Sequence, residues 1–383
     1  MVPSREIPAP RGAVTLAVHH ELEAARDAWH RLEAEAGGYP YARFRFVHAW
    51  AAHRAAALGL EPRVFVATRS GRPVMVLPLA LGREGGVPML LALSDSHTNL
   101  NGGLWADGWD VEPAALVAGL LALEPKAEGV SMCCLPGGPD GSHPLLPAPC
   151  PSVHDVYGAD MADGFAEYLQ RHNGKRKRKK HRRSAKRFDE AGGWEVRRVS
   201  DANEAERLLD VAREWFAERF REEGITDPFA APSVRAFMVD ALRSSVACER
   251  PAMALWVLEI DGEPVSFEAA GGAGAHLSLM FTCYRRGRWD GQAPGDFLLY
   301  EVLERSAAAG YTSFDLGRGR EPYKASWCDR TLVLHDLRVG RSPRARLWLA
   351  AQGGVQNLKR RVRSDERLWS LAKSVRRRIG RAA

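Results

Sequence analysis

The chain has 383 residues, enough for two domains of ordinary size with a core in each. Its 45% hydrophobic and 26% charged residues are those of a globular protein, and no apolar run approaches the roughly 20 residues a spanning helix needs, which excludes an integral helical membrane protein. The net charge of +7 is unevenly placed: residues 175–187 hold ten Lys/Arg and no carboxylate, and residues 338–383 hold fourteen against Asp365 and Glu366, so these blocks carry +10 and +12 and the rest of the chain −15.

The opening MVPSREIPAPRG has no apolar signal core, so the expected location is cytoplasmic. A short strand is predicted near 14–18, then helices over 21–36 and 44–58. Strands follow at 63–68, 74–81 and 89–93, with Ser70-Gly71-Arg72-Pro73 as a hairpin turn. After the Gly/Asn loop 99–103 come a helix at 113–123 and a strand at 130–135. The six cysteines show no CxxC spacing and sit in apolar surroundings, which points to reduced thiols and no metal site.

The basic stretch 165–192 reads as a helix broken near Asn173-Gly174 and ended by Gly192-Gly193. Beyond it the element order repeats: a strand at 194–199, helices at 204–221 and 233–246, and strands at 254–260, 265–271 and 276–284. Asp261-Gly262-Glu263 marks the hairpin between the first two of these strands. A helix over 296–309, a strand at 313–316 and a last strand at 331–339 complete this half. Residues 355–379 place Val355, Leu358, Val362, Leu368, Trp369, Ala372, Val375 and Ile379 near one face with arginines opposite, a basic amphipathic helix. It either docks on the protein through Leu368 and Trp369 or attaches to an anionic membrane surface at the inner membrane face. The boundaries implied are 1–160, a basic linking helix 161–193, 194–340, and the C-terminal helix 341–383.

The chemistry gathers in 291–327. Pro294 and Gly295 stand at the first turn of a helix, whose free N–H groups and dipole suit an anion such as a pyrophosphate. Past the strand, Gly317 and Gly319 allow a sharp turn, and Tyr323, Lys324 and Trp327 follow. A strand-end carboxylate, a phenol and an amine are thereby brought near the anion site, an arrangement for acyl or phosphoryl chemistry. Asp315 serves as a base, orients Lys324, or simply holds the Gly317–Gly319 turn. Glu268 interrupts an apolar strand and is either a buried base with raised pKa or solvent-facing. Arg285, Arg286 and Arg288 neutralise donor phosphates or form a plain surface loop. In the first half, Asp95, His97 and Asn99 lie just after a strand, where an acceptor could be received.

The segment FDLGRGREPYKASW, 314–327, resembles the signature of the CelD/BcsL-type acetyltransferases. These are a polysaccharide-biosynthesis branch of the GNAT superfamily, related in fold to the Fem peptidyltransferases. The resemblance extends over about residues 20–340. It implies an α/β fold of two tandem GNAT-like domains with central mixed β-sheets, linked by a basic helix, with acetyl-CoA or another acyl-CoA as co-substrate. The family's pyrophosphate loop is partly present as Gln292-Ala293-Pro294-Gly295-Asp296-Phe297, without its final small residue. By the same analogy Tyr323 is the acid for a leaving thiol, and a packed aromatic is the other reading of it. Lys324 would hold a carboxylate, phosphate or acyl oxygen, and Trp327 would contact substrate.

The expected function is transfer of an acyl group to an amine or hydroxyl of a sugar or envelope precursor, with an acyl-carrier protein as another possible donor. The rivals are a Fem-like transferase using aminoacyl-tRNA and a non-catalytic polyanion-binding scaffold. The basic block 175–187 fits a solvated face, donor phosphates, an anionic acceptor or nucleic acid. Without interleaved aromatics or amides it does not fit sequence-specific recognition.

Overall fold

The computed structural model describes residues 2–138, 142–319 and 321–364. In chain order the first half comprises β1 (Ser4–Ile7), β2 (Val14–His19), α1 (Arg26–Glu35), α2 (Phe44–Trp50), β3 (Glu61–Arg69), β4 (Arg72–Glu84), β5 (Val87–Ala92), a short β6 (Leu104–Trp105), α3 (Pro113–Leu123), β7 (Gly129–Pro136) and β8 (Pro151–Asp160). Two helices, α4 (Phe165–Arg171) and α5 (Gly174–Asp189), link the halves. The second half has β9 (Trp194–Arg198), α6 (Ala202–Glu223), α7 (Pro232–Arg243), β10 (Ala254–Ile260), β11 (Glu263–Ala273), β12 (His276–Tyr284), α8 (Pro294–Ala308), β13 (Ser313–Arg318), β14 (Arg330–Gly340) and α9 (Pro343–Ser364).

Local chemistry explains most boundaries. Both predicted hairpins turn through residues with positive φ, Ser70-Gly71 at 49° and 77° and Asp261-Gly262 at 54° and 75°, the twist that suits a two-residue hairpin loop. The predicted break in the basic helix falls on Asn173, whose φ of 60° separates α4 from α5. Asp201 caps α6 by accepting from the Glu204 N–H at 2.7 Å. The predicted helix at 44–58 continues past α2 through a π turn, Ala51–Ala55, and a 3-10 turn, Ala56–Leu58.

The strands form one sheet in the order β1-β2-β3-β4-β5-β7-β14-β8-β13-β12-β11-β10-β9, with β6 beside β4. The two expected sheets are thus continuous, and the reason is an exchange. β14, the last strand of the second half, pairs with β7 of the first, while β8, the last strand of the first half, pairs with β13 of the second. β14 and β8 also pair with each other. Gly158 of β8 lies so close to β13 that a Cβ there would stand 2.5 Å from the Phe314 carbonyl oxygen. This strand, at 151–160, is not among those predicted from the sequence.

Two parallel pairings are short. β5 meets β7 at Leu90–Val130 and Leu91–Ser131, and β12 meets β13 from His276–Ser313 to Ser278–Asp315. Beyond these points the strands diverge, leaving a notch in each half.

One apolar cluster spans both halves, joining Trp29, Phe46 and Trp50 to Phe216, Phe237 and Phe267. A second packs α4, α5 and α8 on the other face of the second half and includes Phe188, Phe297, Phe314 and Trp327. α9 begins at Pro343, ahead of the amphipathic run at 355–379, and docks by Ala345 and Leu349 on Val87 and Met89. Leu368, Trp369, Ala372, Val375 and Ile379 lie outside the described residues, as does the side chain of Val362.

Because each half supplies a strand to the other and one core crosses between them, the two should unfold together. Urea denaturation followed by tryptophan fluorescence and by far-UV circular dichroism is expected to give one coincident transition, and two separated midpoints would contradict the interlocking.

Candidate active site

The notch between β12 and β13 is closed at its narrow end by Asp315. This buried carboxylate accepts from His276 Nε2 at 2.9 Å, Ser278 Oγ at 2.5 Å and the Gly317 N–H at 2.7 Å. Asp315 therefore ties β13 to β12 and fixes the turn that begins at Gly317, the structural alternative among its expected roles; its hydrogen bonds do not include Lys324. Gly317 has φ 67°, and a Cβ there would stand 2.5 Å from Asn99 Nδ2, so both its conformation and its space call for glycine.

Lys324 lies at the wide side of the same notch, buried, with Nζ donating to the carbonyls of Gly317 at 3.2 Å and Arg318 at 2.8 Å and pairing with Glu321 at 2.9 Å. It gathers two carbonyl oxygens at the end of β13. Glu268 on β11 faces this lysine. Burial pushes the Glu268 carboxyl well above the usual carboxylate range, against the opposing pull of a hydrogen bond with Thr282 and of the Lys324 charge. Thr282 is the cross-strand partner of Glu268 on β12. Tyr323 completes the group. Although Tyr323 is 38% exposed, desolvation of its hydroxyl, then the charge of Glu268, raises its phenol, so it is a neutral donor at physiological pH.

The guanidinium of Arg219 on α6 acts on both Tyr323 and Cys283. It also lines a cavity of about 580 Å³ with Glu214, Glu218, Tyr284 and Arg285. Its Nε is buried and has no hydrogen-bond partner among the described residues, and its guanidinium carbon lies 4.9 Å from the centre of the Phe220 ring. Arg219, Thr282 and Tyr284 were not among the sequence-derived candidates. A helix-face arginine and a strand threonine carry no motif, and only the cross-strand register with Glu268 could have pointed to Thr282.

The first turn of α8 lies beside this group. A Cβ on Gly295 would sit 3.5 Å from Tyr284 Cδ1 and 4.0 Å from Thr282 Oγ1, so this glycine faces the end of β12. The anion site expected at this helix start is already furnished. Asp296 accepts from Trp327 Nε1 at 2.8 Å and pairs with Lys180 at 2.8 Å, and Ser184 Oγ donates to the Gln292 carbonyl at 2.9 Å. α5 thus lies across the turn, leaving about 10 Å³ of free space among Lys177, Lys180, His181, Ser184, Gln292, Asp296, Phe297, Tyr300 and Trp327. His181 stacks on Phe297 at 4.3 Å and on Tyr300 at 4.2 Å and reaches Glu301 at 2.7 Å. Lys177 Nζ sits 3.5 Å from the centre of the Trp327 ring, and burial lowers its pKa to about 8.

Trp327 is fully buried and its indole N–H is held by Asp296, which corrects the expectation that it contacts substrate. Arg286 pairs with Glu222 and Glu223, and Arg288 lies over the Trp289 ring at 4.5 Å. With Arg285 these arginines line a cavity of about 370 Å³ at the outer end of β12 and are not gathered on the first turn of α8. Asp95 and His97 are also placed away from the notch. Asp95 is bound by Arg54 at 2.7 Å and His97 at 2.9 Å, and His97 Nε2 meets the Pro228 carbonyl oxygen at 3.0 Å. Burial alone would raise the Asp95 carboxyl, but its bonds to His97 and Arg54 hold it well below the usual range. These two lock the halves together. Asn99 does reach the end of β13, donating to Tyr41 Oη at 2.7 Å and accepting from Arg318 Nε at 3.4 Å.

Residues 175–325, from the start of α5 to just past Lys324, match a family described as "Acetyltransferase (GNAT) domain". Among curated proteins no sequence matches significantly. Among solved structures the chain is similar in fold to FemX, with a TM-score of 0.58 at 12% identity over 86% of this chain and 98% of that one. It is also similar to the C-terminal domain (DUF2156) of a putative lysylphosphatidylglycerol synthetase from Agrobacterium fabrum, with a TM-score of 0.51 at 12% identity over 88% and 97% of the two chains. L-PGS from Bacillus licheniformis gives a TM-score of 0.52 at 12% identity, over 87% and 96%.

Two outcomes follow from the geometry. Asp315→Ala removes an acceptor from three donors and is expected to lower stability by about 3 kcal/mol in urea denaturation. The folded-state pKa of Glu268 is raised above its ordinary value of 4.5, so its contribution is intact below pH 4.5 and is lost as pH rises through the folded value. Glu268→Gln should therefore flatten the decline of stability with pH above 4.5, as measured by unfolding midpoints across a pH series.

Proposed function

From the premise that the chain carries a GNAT acetyltransferase domain and is an acyltransferase enzyme, we propose that it moves an acetyl or other acyl group from acyl-CoA to an amine or hydroxyl of a sugar or envelope precursor. The observation that carries this reading is the convergence of Glu268, Thr282, Tyr323 and Lys324 in the β12–β13 notch beside Gly295. The resemblance of 314–327 to the polysaccharide-biosynthesis acetyltransferases supports the choice of acceptor class.

In the proposed reaction the acceptor N–H or O–H gives its proton to the ionised fraction of Glu268, with Thr282 between the carboxyl and the outer end of β12. The acceptor atom bonds to the acyl carbon, the C–S bond breaks, and the departing sulfur takes the Tyr323 phenolic proton. Lys324 is a positioning residue: its ammonium holds the turn that carries Tyr323. The 580 Å³ cavity gives the acceptor room, lined by the carboxylates of Glu214 and Glu218 and the guanidiniums of Arg219 and Arg285. Donor phosphates would meet Lys180, which is half exposed and so able to leave Asp296 for them.

A second reading draws on one observation. α5 covers the first turn of α8, where a CoA diphosphate would rest, and this favours a donor that approaches otherwise, such as an aminoacyl-tRNA or an acyl-carrier protein.

Calorimetric titration with acetyl-CoA separates the two. Saturable binding is expected in the native protein and in Gly295→Ala, whose Cβ meets only ordinary contacts, and is expected to vanish in Gly295→Trp. Once an acceptor is in hand, Glu268→Gln should lower kcat by about 10²–10⁴. A folded protein that shows no acetyl-CoA binding at low or moderate salt would exclude the CoA donor.

A further inference from the structure

α9 has two faces. Ala345 and Leu349 face inward with Gln352, and Trp348 lies over Gly85, so one side of the helix is seated on β4 and β5. Arg344 reinforces that seat by donating to the Gly86 carbonyl at 2.8 Å, and Arg360 by donating to the Pro151 carbonyl at 2.6 Å. Leu347, Val355 and Leu358 point the other way, 75%, 53% and 63% exposed. With Ala351 they follow one another at steps of four, four and three, a single exposed stripe alongside the seated face. Of the eight large hydrophobics exposed among the described residues, three belong to this stripe.

A single exposed leucine is ordinary, whereas an aligned row on a helix already seated by its other face calls for a partner. The charges beside the row identify it. Arg344, Arg346, Lys359 and Arg361 flank it, and no carboxylate occurs from Ser342 to Ser364. The sequence that follows, 365–383, adds six Lys/Arg and Trp369 against Asp365 and Glu366. A soluble protein partner would have to match an apolar row bordered by cations along its whole length. An anionic bilayer offers that combination everywhere, with acyl chains for the leucines and phosphate headgroups for the cations.

We propose that the outer face of α9 is an interfacial membrane anchor, which lays the helix in the headgroup region of an anionic bilayer while its inner face stays on the protein. Among the described residues no helix is long and apolar enough to cross a membrane, so the contact is peripheral. The proposal rests on the stripe and its charges, and it holds whichever acyl donor the notch uses.

Flotation of the full-length protein with vesicles tests it, using phosphatidylcholine alone and phosphatidylcholine containing about one-third phosphatidylglycerol. The protein is expected to float with the anionic vesicles and much less with the neutral ones. Leu347→Glu/Leu358→Glu changes only exposed positions, so its circular dichroism and melting should match the parent, and it should lose at least tenfold in vesicle affinity. Lys179→Gln/Arg182→Gln on α5 lowers the net charge by the same two units, away from the stripe, and should cost much less. The proposal fails if the parent does not float, if the stripe variant floats undiminished, or if the α5 variant is the one that loses binding. It also fails if sedimentation shows a dimer of the parent that the stripe variant dissociates, with neither binding vesicles, since a second copy would then be the occupant.

Discussion

A strand that ends a sheet leaves a row of backbone N–H and C=O groups to water or to a neighbour. In this chain the last strand of each half leaves its own half and satisfies that row on the other. β14 lies on β7 and β8 on β13, so the centre of the sheet is made of four strands drawn alternately from the two halves. The candidate site depends on this arrangement. β13 is held from one side by β12 for only three residues and from the other by β8, so the divergence that opens the notch costs β13 no support. Without β8 the strand carrying Asp315 would be an edge, free to move the turn that positions Tyr323 and Lys324.

The basic helix plays two parts according to its faces. Lys177, His181, Ser184 and Phe188 recur on the side turned to α8, while Arg176, Arg178, Lys179, Arg182 and Arg183 face water. Seating an ammonium as deeply as Lys177 disfavours its charge, and the Trp327 ring beneath it returns part of that loss. The neighbouring Lys180 keeps its contact with Asp296 at the helix start. The inner face therefore forms one wall of the site, and the outer face leaves a row of cations on the solvent side of that wall.

Repeated order and hairpin chemistry made most of the architecture legible in the sequence, because Ser-Gly and Asp-Gly turns and alternating strands are local signals. β8 was not legible. Its residues, PSVHDVYGAD, mix small, polar and charged types, since they pair with strands on both sides near the interlock rather than cover one apolar face. The exchange itself is a long-range choice that no local pattern records. In the site, Asp315 and Gly317 were found through their place in a glycine-spaced turn, but the partners that decide the role of Asp315, His276 and Ser278, lie about 40 residues away. Trp327 stood out as an aromatic in a motif, and its burial against α5 depends on a helix about 150 residues earlier.

The interlock also bears on how the chain is made. β7 leaves the ribosome about 190 residues before β14, the strand that covers its outer edge. At ~5–20 residues per second the growing first half waits roughly 10–40 seconds with that edge open. β8 emerges early enough to lie there in the meantime, and it must move aside when β14 arrives if it does. Synthesis thus passes through a stage in which the first half is nearly whole in sequence but still lacks the neighbour that its sheet was shaped to receive.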